Sequence, residues 1–121
     1  MTELDETQSQ IADAVARHPI LLFMKGTPSF PQCGFSQRVV QILSEYGVEY
    51  RTFDVLSNPL VREGIKRFSN WPTIPQLYVK GEFIGGCDIL VEMHEAGELG
   101  AILSAVKSEP AEGEASGRDT S

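Results

Sequence analysis

The sequence predicts an α/β domain in which a four-stranded mixed β-sheet is flanked by about five helices. Three observations carry this. Some segments repeat apolar residues at helical spacing, while others are short apolar or β-branched runs. The two kinds of segment follow one another in the order α-β-α-β-α-β-β-α-α. A βαβ unit leading into a hairpin implies parallel and antiparallel pairing within one sheet covered by helices.

Leu4, Ile11, Ala14 and Val15 mark the inner face of a first helix. His18-Pro19 ends it, because the residue before a proline is pushed out of the α region. Ile20 to Met24 is an unbroken apolar run and reads as a buried strand. Val39, Ile42, Leu43 and Tyr46 stand at i, i+3, i+4 and i+7, the pattern of a helix with one core face, and Gly47 is its C-terminal stop. Tyr50 to Val55 is rich in β-branched and aromatic residues and forms the second strand. Asn58-Pro59 starts a third helix with proline in its first turn, and Val61, Ile65 and Phe68 give that helix its face. Leu77 to Lys80 and Glu82 to Ile84 flank Gly81 as a hairpin. Two helices close the domain, Asp88 to Ala96 and the segment carrying Leu99, Ile102, Leu103 and Val106, parted near Gly97. Asp88 suits the N-cap of the first of them.

With 121 residues the chain is long enough for one domain without disulfide or metal staples. Its net charge of -7 and the lack of a basic stripe exclude a general binder of nucleic acid or anionic membrane. From residue 109 the apolar periodicity gives way to Glu, Gly, Ala, Ser and Pro, with Glu109, Glu112, Glu114 and Asp119 set against Arg118. The expected division is a domain over residues 1–107 and a disordered acidic tail over 108–121. The longest apolar run, Ile20 to Met24, is far too short to span a bilayer. Two cysteines make no secreted disulfide framework, and the acidic start MTELDETQSQ lacks the arginines of a mitochondrial presequence. A soluble, cytoplasmic protein is expected.

Cys33 is the most informative position. It lies between the first strand and the second helix, which puts its thiol at a helix N-terminus. Unpaired N–H groups and the helix dipole favour an anion there, with Lys25 and Arg38 as further sources of positive potential. A thiolate is both the nucleophile of disulfide exchange and the form that ligates iron. Position alone leaves a second possibility, since a lone intracellular cysteine is often just a small buried hydrophobe. His18 and His94 stand at no zinc-like spacing from a cysteine. A dithiol oxidoreductase carries its resolving cysteine three positions after the first, and here that position is Ser36.

Lys25-Gly26-Thr27-Pro28, Cys33-Gly34-Phe35-Ser36, Trp71-Pro72-Thr73-Ile74-Pro75 and Gly85-Gly86-Cys87-Asp88 resemble, in this order, the single-domain CGFS-type monothiol glutaredoxin family. The resemblance runs over residues 11–106 with no departure at a motif position. It implies a thioredoxin-like fold, Cys33 as the reactive thiol, and glutathione as ligand. Lys25 and Arg62 would grip the glycine carboxylate of glutathione. Thr73, Ile74 and a cis-linked Pro75 would present backbone to it. The Cys87 backbone and the Asp88 carboxylate would hold its γ-glutamyl end, and Phe35 would flank the thiol and limit solvent access. Trp71 reads as a packing residue.

The family resemblance also implies a [2Fe–2S] cluster. One Cys33 cannot supply the four ligands that such a cluster needs, whereas two chains and two glutathione thiolates can. The expected function is therefore cluster transfer by a glutathione-dependent homodimer, with scaffold proteins, apoproteins and BolA-type proteins as partners. The alternatives are a glutathione-dependent thiol–disulfide oxidoreductase using the monothiol route, and a non-catalytic adaptor that binds a partner through the same face.

Overall fold

A computed structural model describes residues 3–107. The expected acidic tail, 108–121, lies outside the described residues. The elements are α1 (Glu3–Arg17), β1 (Ile20–Met24), α2 (Gly34–Ser44), β2 (Arg51–Asp54), α3 (Pro59–Ser69), β3 (Gln76–Val79), β4 (Glu82–Gly85), α4 (Cys87–Ala96) and α5 (Glu98–Lys107), with a 3₁₀ turn at Val55–Ser57. The sheet order is β2-β1-β3-β4, with β1 parallel to β2 and antiparallel to β3, and β3 antiparallel to β4. This is the mixed sheet with five helices that the residue pattern implies.

Side chains alternate across a strand, so β1 feeds two cores at once. Ile20, Leu22 and Met24 pack with Val39, Ile42 and Leu43 of α2, Leu90 of α4, and Leu99 and Leu103 of α5. Leu21 and Phe23 face the other way, toward Ile11 and Val15 of α1 and Val61 and Ile65 of α3. All five residues of β1 are buried, which is why its sequence is continuously apolar. The layer of α1 and α3 thus covers one face and the layer of α2, α4 and α5 the other.

Three local expectations are corrected. The second strand is shorter than residues 50–55, because the chain turns into the 3₁₀ segment at Val55, where the Asp54 carboxylate accepts from the Leu56 N–H at 2.9 Å. Helix α2 ends at Ser44 with Glu45 as C-cap, ahead of Gly47. Asp88 is not the N-cap of α4. Gly86 takes that position in extended backbone and Asp88 falls in the first turn, where its charge still complements the helix dipole. Asn58 does cap α3 as its sequence suggests, its Oδ1 accepting from the N–H groups of Leu60 at 3.0 Å and Val61 at 3.4 Å.

Candidate functional site

Where the two helical layers meet at one end of the sheet, a cavity of about 410 Å³ opens. This volume falls within the range of small-molecule clefts. All nine residues expected at the site line it. Lys25, Cys33 and Phe35 come from the segment joining β1 to α2, Arg62 from α3, Thr73, Ile74 and Pro75 from the segment before β3, and Cys87 and Asp88 from the start of α4. Lys66, Pro72, Gly86 and Ile89 line it too without having been expected. Lys66 follows Arg62 by one helical turn, so the 3.6-residue period could have found it. Trp71 also lines the cavity while its ring packs on Phe83 at a centroid distance of 5.8 Å.

The segment carrying Cys33 is held by its own backbone. Thr27 and Phe30 exchange N–H to C=O bonds of 3.3 and 3.0 Å, and the Gln32 N–H donates to Lys25 C=O at 2.9 Å. Gly26 adopts φ 89, and a Cβ there would lie 2.5 Å from the Phe30 carbonyl oxygen, so this tight return accepts only glycine. Its N–H donates to the Asp54 carboxylate at 2.9 Å, which ties the segment to the end of β2. Phe30 is left 74% exposed and Phe35 61% exposed. Phe35 lines the cavity together with Cys33 while keeping most of its own surface exposed.

Cys33 is the extended N-cap residue of α2. Its sulfur closes no full capping hydrogen bond, but the first turn of the helix is aimed at it. Partial burial pushes the thiol up; the N–H groups of Ser36 and Phe35, the Lys25 ammonium and the Ser36 hydroxyl together outweigh that and hold it below the ordinary thiol value. Ser36, in the position where a resolving cysteine would stand, is fully buried and accepts the Lys25 N–H at 3.1 Å. Cys87 behaves in the opposite way. Burial and then the adjacent Asp88 charge push its thiol up, with Cys33 adding to the effect and Arg38 opposing it. Both cysteines are free thiols.

The charges of the cavity are divided between its walls. Arg62 and Lys66 approach from α3 and Lys25 from the end of β1, whereas Asp88 stands at the start of α4. Lys66 pairs with Glu63 at 3.4 Å, but the buried Arg62 Nε has no hydrogen-bond partner among the described residues. A buried guanidinium N–H without an acceptor is costly, and Arg62, whose residue lines the cavity, carries that cost. Gly86 lets α4 come close: a Cβ there would meet Trp71 Nε1 at 3.2 Å and the Pro75 carbonyl at 3.3 Å. The Ile74–Pro75 peptide is cis.

Among the described residues, no three His, Cys, Asp or Glu side chains are grouped to hold a metal ion, and no helix is long and apolar enough to cross a membrane.

The sequence pattern of the family described as Glutaredoxin matches residues 20–84. The chain is 57% identical over 95 residues to monothiol glutaredoxin-S11 of rice, covering 78% of this chain but only 19% of that protein. It is 52% identical over 98 residues to a ycf64-like monothiol glutaredoxin of Synechocystis, covering 81% of this chain and 92% of that one. Among solved structures it resembles reduced apo GrxS14 of poplar, with a TM-score of 0.76 and 45% identity over 89% of this chain and 100% of that one. The motifs, the thioredoxin-like sheet and these relatives agree: the chain belongs to the monothiol glutaredoxin family.

Proposed function

We propose that this protein binds glutathione in the cavity and, as a homodimer, carries a [2Fe–2S] cluster as cargo from a scaffold to apoproteins. The observation that carries the reading is the meeting, in one cavity, of a thiol held below the ordinary thiol value and a group of cations, Lys25, Arg62 and Lys66. The first is a sulfur ligand, the second a seat for an anion. Glutathione is the general thiol of the glutaredoxin family, and its charges match the walls. Lys25 and Arg62 would take its glycine carboxylate, with Lys66 beside them. Asp88 and the Cys87 backbone would take its γ-glutamyl end, the Thr73–Pro75 segment would pair with its backbone, and Phe35 would flank the Cys33 thiol. Neutralising one end by Arg62→Met should weaken glutathione binding about ten-fold or more, given that hydrogen bonds to charged groups contribute ~1.5–3 kcal/mol.

Cys33 offers one thiolate per chain, so two chains and two glutathione thiolates complete the four ligands of the cluster. The exposed Phe30 and Phe35 beside the thiol suit docking of a second copy, a BolA-type protein, or a scaffold or apoprotein. Two free thiols suit a reducing compartment, and the cytoplasm is the one proposed. The test is anaerobic reconstitution with iron, sulfide and glutathione, followed by light scattering and visible absorbance on the same column fractions. A coloured dimer containing glutathione, which loses iron and returns to monomer when glutathione is stripped, is expected. A coloured monomer, or a coloured dimer without glutathione, would contradict the ligand count.

A Cys33 thiol held below the ordinary thiol value also favours a second, enzymatic reading. Cys33 would attack the glutathione sulfur of a protein–glutathione mixed disulfide, releasing the protein thiolate. A second glutathione thiolate would then attack the sulfur of the bound glutathione, freeing Cys33 and forming glutathione disulfide. Rapid turnover of a small mixed-disulfide substrate would favour this reading over the carrier.

A further inference from the structure

Gln76 opens β3, and its side chain is completely buried. It shares its face of the strand with Tyr78 and lies opposite Phe23 in the β1–β3 register, inside an otherwise apolar layer. An amide in such surroundings is costly unless its hydrogen bonds are made, and here they are made. The Tyr78 hydroxyl donates to Gln76 Oε1 at 3.0 Å, while Nε2 donates to the Trp71 carbonyl at 3.2 Å and to the Thr73 carbonyl at 3.0 Å. The Trp71 N–H is held as well, by Ser69 Oγ and the Lys66 carbonyl, each at 3.1 Å.

One buried amide therefore clamps two carbonyls of the segment that forms the cavity wall, although Gln76 itself does not line the cavity. The Thr73–Ile74 peptide is trans. In a planar trans peptide the C=O of one residue and the N–H of the next point in opposite directions. Pulling the Thr73 carbonyl inward onto Gln76 thus turns the Ile74 N–H outward, toward the cavity that Thr73 and Ile74 line. Ile74 precedes the β-ladder, which begins with Phe23 against Gln76, so its peptide groups are not taken up by the sheet. We propose that Gln76, itself oriented by Tyr78, is a positioning residue that holds the Ile74 N–H ready to pair with the backbone of glutathione. This rests on the reading of the cavity as a glutathione site.

The test is an NMR titration of the ¹⁵N-labelled full chain with reduced glutathione, comparing wild type with Gln76→Met, which keeps the length of the side chain and removes its donors. The pH midpoint of Cys33 alkylation is measured alongside. Affinity should fall about ten-fold in Gln76→Met, with the Thr73 and Ile74 N–H signals displaced, on the scale of one or two lost hydrogen bonds. The Cys33 midpoint should stay in place, because no bond from Gln76 reaches the segment that carries it. Equal affinity in the two proteins overturns the inference alone. So does a loss of affinity accompanied by a shifted Cys33 midpoint, since the effect would then be general. A wild type that fails to bind glutathione overturns the reading of the cavity, and the inference with it. If Gln76→Met does not fold, Tyr78→Phe decides: affinity about two- to three-fold weaker supports the proposal and unchanged affinity overturns it.

Discussion

Helices α2 and α4 each bring a cysteine to one cavity at their N-termini, Cys33 as the N-cap of α2 and Cys87 as the first residue of α4, yet the two thiols are driven in opposite directions. Both receive the positive end of a helix dipole, so the dipole alone does not decide which sulfur becomes reactive. Their neighbours do. Cys33 is opposed by modest burial but is favoured by the Ser36 and Phe35 N–H groups, the Lys25 ammonium and the Ser36 hydroxyl. Cys87 is pushed up by burial and by a carboxylate one residue away, against the weaker pull of Arg38. At these two helix N-termini the neighbours set the direction: N–H donors and an ammonium lower one thiol, while burial and an adjacent carboxylate raise the other.

The most severe way to break this contrast is to remove each sulfur in turn. Cys33→Ser should abolish cluster assembly, whereas Cys87→Ser should retain most of it, as judged by iron and sulfide content after reconstitution. Equal loss in the two variants would end the asymmetry. A milder change is to reverse the electrostatics around one thiol at a time. Asp88→Asn should lower the alkylation midpoint of Cys87 by removing the adjacent negative charge, and should weaken glutathione binding by a few-fold at a partly exposed ion pair. Lys25→Met should raise the midpoint of Cys33 and leave that of Cys87 in place.

The smallest effect concerns stability. A thiol lowered by folding adds stability that is complete above the unfolded pKa and is lost as pH falls through the lowered value. A raised thiol adds stability that is complete below the unfolded pKa and is lost as pH rises through the raised value. Thermal unfolding between about pH 7 and 10 should therefore show Cys33→Ser losing ground to wild type as pH rises, and Cys87→Ser gaining on it.

Much of this arrangement was legible in the residues because its causes are local. Strand β1 is buried on both faces and so is unbroken in its apolarity, and Asn58-Pro59 carries its own cap. The position of Cys33 follows from its place between a strand and a helix. What was not legible depends on contacts distant in the chain or in the opposite layer. Gln76 looks like a polar residue at the start of an apolar strand, and its hydrogen bonds to the Trp71 and Thr73 carbonyls appear only in the folded chain. That Arg62 Nε is buried without a hydrogen-bond partner among the described residues is a property of the folded packing, not of α3. Asp88 looked like a cap because its residue type favours one, but the close approach of α4 to Trp71 and Pro75 placed the small Gly86 there instead.

Folding drives the two thiols apart, Cys33 below the ordinary thiol value and Cys87 above it, and this split is the basis of the asymmetry between them. It is tested most directly by alkylating the wild-type protein over a range of pH and reading the modification of both cysteines by mass spectrometry in the same sample. The expected result is a Cys33 midpoint below the ordinary thiol value and a Cys87 midpoint above it, with Cys33 modified first at neutral pH. Coincident midpoints, or Cys87 reacting first, would contradict the account.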